Sequence, residues 1–454
     1  MPAFQTVRGT RDLLPIKAKR LRFIMDTAEE IAELYGYKEV ITPLLESYEL
    51  LNAKSGEEIR SRMFVFKDLG NRKIVLRPEF TASIARLVTT TLKKSPLPLR
   101  FFSVGTVYRY DEPQHGRYRE FWQSNFELMG SRKVEADVEI ILLTNRFMKK
   151  VKLNNYAFKL GHIGILRGIM NQEGISEKIQ SQILQKMDKK EYNAALKLIH
   201  KRRCKLVFNS LRFLNERNVP SFSENPFEII ESTALILRDY EEALVAVENL
   251  RKILKKVEEA GCKIKTVDPV FARGLEYYTG MIFEVYVPEL DIALGGGGRY
   301  DKLIETFGGE PTPAVGVAHG LDRISLAKRA QTCENRSILI KKTLKKRVWV
   351  IPANQKSKIT ALKISEQLRE KGIKIELEIM GRKLDKALKK AKVRKVDYAV
   401  IVDTIELPKG KVILQNLLTR TREKLTINQL LRKLKQSSKK NKKVFEASRT
   451  EAFK

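Results

Sequence analysis

The sequence predicts an α+β domain whose strands come as hairpins, a helical segment inserted into it, and a small α/β domain towards the C-terminal end. Three observations predict this. Strand pairs joined by polar turns succeed one another between residues 37 and 130. Between about 165 and 260 aromatic strands vanish, and Lys, Glu, Gln and Leu take over at helical spacing. From residue 346 onwards, strands and helices alternate on a scale that suits a small α/β domain. A length of 454 residues also exceeds what one hydrophobic core usually holds.

Residues 17–36 read as an amphipathic helix, because Leu21, Ile24, Met25, Ala28, Ile31, Ala32 and Tyr35 recur on one face; Pro15 supplies the entry and Gly36 the exit. KEVITPLLE is a strand-like stretch broken at Pro43. FVFKDLGNRKIVLRPE holds two β-rich runs about a Gly-Asn turn, a hairpin signal. RFFSVGTVYRYDEP and EFWQSNFELMG repeat the plan of strand, polar loop and strand, and 136–150 return to helix. After the helical segment, IFEVYVPELDIALGGGG resumes the strands, with a helix after it over about 319–330. TCENRSILIKKTLKKR reads as a linker. RVWVIPA, IKIELEI, DYAVIV and KVILQNL are then strands separated by helical ALKISEQLREKG and KLDKALKKAKVRK, and the last residues form a basic tail.

Lys+Arg 87 against Asp+Glu 54 leaves a formal charge of +33, which points to a polyanionic partner or to a Lys-rich, thermophile-like surface. Three isolated cysteines without a CxxC pair argue against a disulfide framework or zinc ribbon, and four histidines without ligand spacing predict no structural metal. The start lacks an apolar signal core, and no run approaches the ~18 apolar residues that cross a bilayer. A cytoplasmic location is the expectation.

The common nucleotide loops GxxxxGK[ST] and GxGxxG are absent, as are the GxSxG elbow and HExxH. A nucleotide would have to be held by arginines and sheet edges. Arg109 ends one strand, Arg117 and Arg119 sit in the next loop, and Phe121 and Trp122 open the returning strand. Guanidinium groups bind phosphate bidentately and an aromatic ring stacks on a purine. The alternative is an exposed hairpin with ordinary surface arginines, and spacing alone does not separate the two. Period-two alternation puts Phe121, Gln123, Asn125 and Glu127 on one face, where an amide and a carboxylate could hold an ammonium or imidazolium; a solvated polar face is the other reading. RGLEYYTG couples Arg273 to Tyr277 and Tyr278 before a strand, which suits a small planar ligand or a buried tyrosine pair. The glycines 295–298 imply a backbone that something approaches closely. AVGVAHGLDRI places Arg323 early on a helix.

Together and in this order these stretches resemble the class II aminoacyl-tRNA synthetases, and within them the histidyl-tRNA synthetase family, over nearly the whole chain. KEVITPLLE, VYRYDEPQHGRYREF and AVGVAHGLDRI are similar to the three class motifs; RGLEYYTG, GGGGRYD and LRPEFT carry the likeness to the histidine family. The resemblance implies an α+β catalytic domain built on an antiparallel sheet over 1–164 and 261–332, a helical insertion over 165–260, a linker over 333–345, an anticodon-binding α/β domain over 346–436 and a basic tail over 437–454. It implies a homodimer through the catalytic domain, the first motif building the interface. Glu79, Thr81 and Gln123 would hold the histidine ammonium; Glu127 and Tyr278 would read the imidazole nitrogens, with Tyr277 lining the pocket. Arg109, Arg323 and Arg117 would grip the α-phosphate, the γ-phosphate and the bent triphosphate of ATP, and Phe121 would stack on adenine. Arg273 would stand beside the attacking carboxylate as the electrostatic catalyst, and Gln114 is the candidate for reading the acceptor end of tRNA(His).

The implied substrates are L-histidine, ATP with Mg2+ and tRNA(His). A pocket that hydrogen-bonds both ring nitrogens discriminates without an editing domain. Two departures stand out: Glu112 replaces a basic residue common in bacterial relatives, and Asp403 comes after AVIV where a glycine is frequent, which leaves the anticodon-reading residues unassigned. A catalytically silent paralogue tends to lose the histidine tract or the C-terminal domain, and both are present here. A synthetase for glycine, threonine or proline shares the class motifs but not RGLEYYTG with GGGGRYD.

Overall fold

The computed structural model describes residues 4–52, 57–113, 116–216, 225–273, 277–288, 292–332 and 347–434. The chain divides into two compact units, Met1–Cys333 and Glu334–Lys454.

The first unit begins with α1 (Pro15–Leu34), β1 (Lys38–Glu39), β2 (Leu45–Ser47), α2 (Tyr48–Asn52), α3 (Glu57–Arg60), β3 (Val65–Lys67) and β4 (Lys73–Leu76). It continues with α4 (Thr81–Thr89), β5 (Leu99–Tyr108), β6 (Glu120–Met129), α5 (Val134–Lys150) and β7 (Ala157–His162). Six helices come next: α6 (Ile163–Gln172), α7 (Glu177–Asp188), α8 (Tyr192–Leu198), α9 (Arg202–Glu216), α10 (Pro226–Ile236) and α11 (Glu241–Glu259). The unit closes with β8 (Thr266–Val267), β9 (Met281–Val287), β10 (Ile292–Arg299), α12 (Leu303–Thr306), β11 (Ala314–Gly320) and α13 (Leu321–Thr332).

Eight strands form one sheet in the order β1-β5-β6-β11-β10-β9-β7-β8. The six central strands pair antiparallel, and only the short edge strands β1 and β8 join parallel. The sheet is therefore mixed, its antiparallel centre being what the hairpin signals foretold. Pro15 starts α1, and its buried stripe includes Leu21, Ile24, Ala28 and Ile31. That stripe shares a core with Ile140, Ile141 and Phe147 of α5 and with Phe102 and Phe126 of the sheet, whose rings lie 4.9 Å apart. The core therefore claims the even-numbered residues of β6, so the odd-numbered Phe121, Gln123, Asn125 and Glu127 stand on the opposite face.

A small sheet, β2-β4-β3, flanks this arrangement. Its β3–β4 hairpin turns at Asn71, whose φ of 60° is a conformation asparagine tolerates better than most residues. KEVITPLLE gives only the two-residue β1 and, beyond Pro43, β2, because proline supplies no ladder donor. The second unit holds β12 (Val348–Pro352), α14 (Lys358–Glu370), β13 (Ile375–Leu377), α15 (Leu384–Val393), β14 (Tyr398–Val402), β15 (Lys411–Asn416) and β16 (Arg422–Thr426). Its sheet order is β13-β12-β14-β15-β16, parallel across the first three strands. The sequence pattern does not announce β7, β8 or β16.

Candidate active site

A cavity of about 300 Å³ opens over the polar face of the large sheet. Its lining includes Glu79, Thr81, Arg109, Arg117, Phe121, Gln123, Glu127, Arg273, Tyr277, Tyr278 and Arg323. Every residue to which the family resemblance assigns a role is therefore brought to one place except Gln114, which lies outside the described residues; Arg119 and Trp122 of the same hairpin are not in the lining.

Strand register explains why a cavity exists there. Directly opposite residues in antiparallel strands share a face. Across the sheet this gives one rung of Asn125, Ala318, Gly296 and Glu284, and a second of Glu127, Gly316, Gly298 and Ile282. Small residues on β10 and β11 clear a trough between larger side chains on β6 and β9. A Cβ on Gly316 would lie 1.8 Å from Glu127 Oε2, and one on Gly296 would lie 1.9 Å from Arg273 Nη1. The glycine tract is thus the floor over which functional side chains reach.

One part of the lining accepts hydrogen bonds. Glu127, 1% exposed, takes Thr81 Oγ1–H at 2.6 Å, Asn125 Nδ2–H at 2.5 Å and the Tyr300 hydroxyl. Burial pushes its carboxyl up to about 8. Glu79 is buried as well, which raises its pKa, and its carboxylate accepts the backbone N–H groups of Thr81 at 2.6 Å and Ala82 at 2.8 Å. It therefore caps α4 as well as facing the cavity. Gln123 is 7% exposed, and its Oε1 has no partner among the described residues. A buried acceptor left open beside two carboxylates fits a donor-rich cation. The rings of Tyr277 and Tyr278 are tilted by 54° with their centroids 5.1 Å apart, and burial raises the Tyr278 hydroxyl to about 12, so it stays a neutral hydrogen-bonding group.

Another part of the lining is cationic. Arg109 donates to the Pro78 carbonyl at 2.9 Å and lies 5.5 Å from the Phe121 ring centroid. Arg323 donates to the carbonyls of Ala293 at 2.9 Å and Gly116 at 3.3 Å. Burial, then Arg117 and Arg109, pull its pKa down to about 10. Arg273 donates to Glu284 at 2.8 Å, and that carboxylate keeps the guanidinium charged despite burial. Guanidinium groups repelling one another in a half-buried cleft define a seat for a polyanion.

Asn125, Tyr300 and Glu284 are among the lining residues that have no role assigned from sequence. Asn125 is on the right face, as a polar residue flanked by Gln123 and Glu127. Tyr300 ends the GGGGRYD tract and reaches Glu127, with its ring 5.6 Å from Tyr277. Glu284 is a solitary carboxylate in the apolar run MIFEVYV, which is the one signal by which the sequence marks it. A second cavity of about 790 Å³ lies between α6, α7, α11 and the far side of Tyr277 and Tyr278, with Arg60, Arg132, Arg167 and Lys302 in its lining.

The chain matches the family model described as histidyl-tRNA synthetase over residues 9–324, and that of the anticodon binding domain over residues 347–437. It is 39% identical over 433 residues to the histidine–tRNA ligase of Methanocaldococcus jannaschii, covering 94% of this chain and 98% of that one. Identity to the histidine–tRNA ligase of Saccharolobus solfataricus is 36% over 441 residues, covering 96% and 100% of the two chains. Among solved structures the fold is similar to apo S. aureus histidyl-tRNA synthetase, with a TM-score of 0.68 at 24% identity over 95% of this chain and 100% of that one. It is also similar to histidyl-tRNA synthetase from Nostoc sp. PCC 7120, with a TM-score of 0.72 at 21% identity over 96% and 100%.

Proposed function

The chain belongs to the histidyl-tRNA synthetase family, and from that premise we propose how its cavity joins histidine to tRNA(His) with ATP. What carries the reading is one observation: a single cavity whose lining combines buried acceptors with a set of arginines.

Histidine brings an ammonium, a carboxylate and a planar ring with two nitrogens. The ammonium meets the open Gln123 Oε1, with Glu79 and Thr81 beside it. Glu127 and Tyr278 take the ring nitrogens, and Tyr277 forms a wall. ATP lies across the arginines: Arg109 on the α-phosphate, Arg323 on the γ-phosphate, Arg117 on the bent triphosphate and Phe121 against adenine. The histidine carboxylate oxygen attacks the α-phosphorus in line; the bond to the bridging oxygen breaks, and pyrophosphate leaves as histidyl-adenylate forms. Negative charge gathers on phosphoryl oxygens, so Arg273 and Arg109 contribute positioned charge rather than bond-making. Magnesium would supply further neutralisation at the β- and γ-phosphates. In the second step the terminal 3′-hydroxyl of tRNA attacks the adenylate carbonyl and AMP departs. Neither step requires a protein nucleophile.

The remaining partners extend the same proposal. The C-terminal unit would bind the anticodon, and the helices over 165–260 would close on the acceptor stem, to which the cations of the second cavity are suited. A homodimer would form through the first-motif region, where Ile41 is 90% exposed and Leu44 and Leu45 close to it in the chain are exposed as well. No helix among the described residues is long and apolar enough to cross a membrane. A cytoplasmic location accords with Cys204 and Cys262 being buried free thiols.

The test is amino-acid-dependent exchange of pyrophosphate into ATP. Histidine alone should support it among the standard amino acids, and Arg273→Ala should lower it by about 10²-fold or more. Exchange with another amino acid, or none with histidine, would refute the substrate assignment.

A further inference from the structure

We infer that Glu284 is a positioning residue for the Arg273 guanidinium, and that the Gly296–Glu284 cross-strand pair is the seat in which that guanidinium is held. The inference rests on the proposed role of Arg273 in adenylation.

Arg273 lies in neither helix nor strand, so no ladder orients its backbone. What fixes the guanidinium is at its far end. Nη1 donates to Glu284 Oε1 at 2.8 Å and to the Phe283 carbonyl at 3.3 Å. Both acceptors belong to β9. Gly296 of β10 is the register partner of Glu284, and a Cβ there would stand 1.9 Å from Nη1. The guanidinium therefore lies over a strand that has no side chain at that point and is drawn across it by a carboxylate on the next strand. A void and an anion act together: the void permits the approach, and the anion gives it direction.

Glu284 also answers an electrostatic need. Arg109, Arg117 and Arg323 line the same cavity, and Arg323 and Arg273 repel one another. Glu284 is the larger of the two carboxylate attractions on Arg273, Asp188 being the second, so without it the long flexible side chain would lose its direct tether and swing away from β9. Glu284 faces the cavity from β9 and is held there by the pairing of that strand with β7 and β10. Tethered by one nitrogen, the guanidinium keeps its remaining N–H groups for a substrate oxygen. A positioning residue of this kind changes the rate of the chemical step more than ground-state binding, since it governs where charge is placed in the transition state.

The experiment is a double-mutant cycle on pyrophosphate exchange with Glu284→Gln, Glu284→Ala, Arg273→Ala and the double variant Arg273→Ala/Glu284→Ala in the full chain. Displacement of a catalytic group by about 1 Å costs on the order of 10²-fold, so Glu284→Ala should lower kcat by about that factor while the KM for histidine changes little. Glu284→Gln keeps the volume and the acceptor but not the charge, and should fall between it and the parent. The double variant should be no slower than Arg273→Ala alone, because a tether has no effect once the tethered group is gone. Multiplicative losses, or a Glu284→Gln variant with parental kcat, would overturn the inference while leaving the role of Arg273 intact. Parental activity in Arg273→Ala would instead overturn the reading on which it rests. Thermal midpoints of all four variants, with and without histidine, identify any loss that comes from unfolding.

Discussion

Gln123→Met should make the ligand-free chain more stable and the histidine-loaded chain less stable than the parent. Gln123 is 7% exposed and its Oε1 has no hydrogen-bond partner among the described residues. A buried acceptor in that state costs about 1–3 kcal/mol relative to a satisfied one, whereas a shape-matched apolar replacement usually costs less than about 1.5 kcal/mol in packing. Methionine has nearly the same length and removes the open acceptor, so a net gain of about 1 kcal/mol is expected without ligand. For a unit of this size the gain corresponds to a rise in thermal midpoint of roughly 1.5 °C. Histidine reverses the order. At a histidine concentration of about 100 Kd the parent gains about 2.7 kcal/mol from binding. Loss of one charge-assisted hydrogen bond to the ammonium, about 1.5–3 kcal/mol, weakens binding by roughly 10–150-fold, which leaves the variant a ligand gain below about 1.5 kcal/mol at the same concentration. Denaturation by scanning calorimetry with and without histidine reads both quantities in one series. A variant less stable than the parent without ligand, or one with an undiminished shift on adding histidine, would refute the assignment of Gln123 Oε1 as the ammonium acceptor.

Gly316→Ala puts a Cβ 1.8 Å from Glu127 Oε2 and 2.7 Å from the Phe126 carbonyl, so Glu127 must move; the KM for histidine should rise about tenfold or more, with the KM for ATP little affected. Arg323→Lys replaces a guanidinium anchored on two carbonyls by a point charge; here the KM for ATP should rise and that for histidine stay near parental, measured by exchange at fixed salt. The pH dependence of stability has a definite sign. Burial holds the folded Glu127 carboxyl at about 8, above its range in an unfolded chain, so folding takes up a proton between the two values. Its contribution is full below the usual carboxylate range and is lost as pH rises through about 8, with a slope of at most about 1.4 kcal/mol per pH unit. Glu127→Gln should remove that slope from the urea midpoint of the ligand-free chain; an unchanged pH profile would place the proton elsewhere.

The parts of the fold that depend on local pattern are legible in the sequence. The stripe on α1, the Gly-Asn turn between β3 and β4 and the strand pair β5–β6 are each written in the spacing of apolar and turn residues. So is the shared face of Gln123 and Glu127, because alternation is a property of one strand. What cannot be read is adjacency. Nothing in EFWQSNFELM says that Gly316 will lie opposite Glu127, or that Gly296 will face Glu284, because both pairings arise from the order β6-β11-β10-β9 among strands far apart in the chain. Tyr300 is hidden for the same reason: it reaches Glu127 across the intervening strand β11. The strand Ala157–His162 escapes notice because its six residues run directly into α6, and the helical character of Ile163–Gln172 masks the short alternation.

The site departs from the rules that stabilise the rest of the unit, and the departures have a common cause. Elsewhere buried charges are matched: Arg299 is held by both oxygens of Asp137 at 2.9 Å, and Arg86 by both oxygens of Glu46 at 3.0 and 2.8 Å. Around the cavity Gln123 Oε1 is open, Glu127 is forced towards protonation, and Arg323 sits among like charges. Under the proposed assignment each fault would be corrected by a different feature of the two substrates: an ammonium for the unpaired acceptor, a ring nitrogen for the carboxyl, phosphates for the arginines. A surface that satisfied itself internally would have no free energy left with which to select a ligand. The glycine trough makes this possible, because it lets groups of opposite character share one floor without filling the space between them. On the proposed reading, selectivity for histidine beside ATP would be a property of what the sheet leaves unsatisfied, and the stability withheld from the empty chain would be what binding returns.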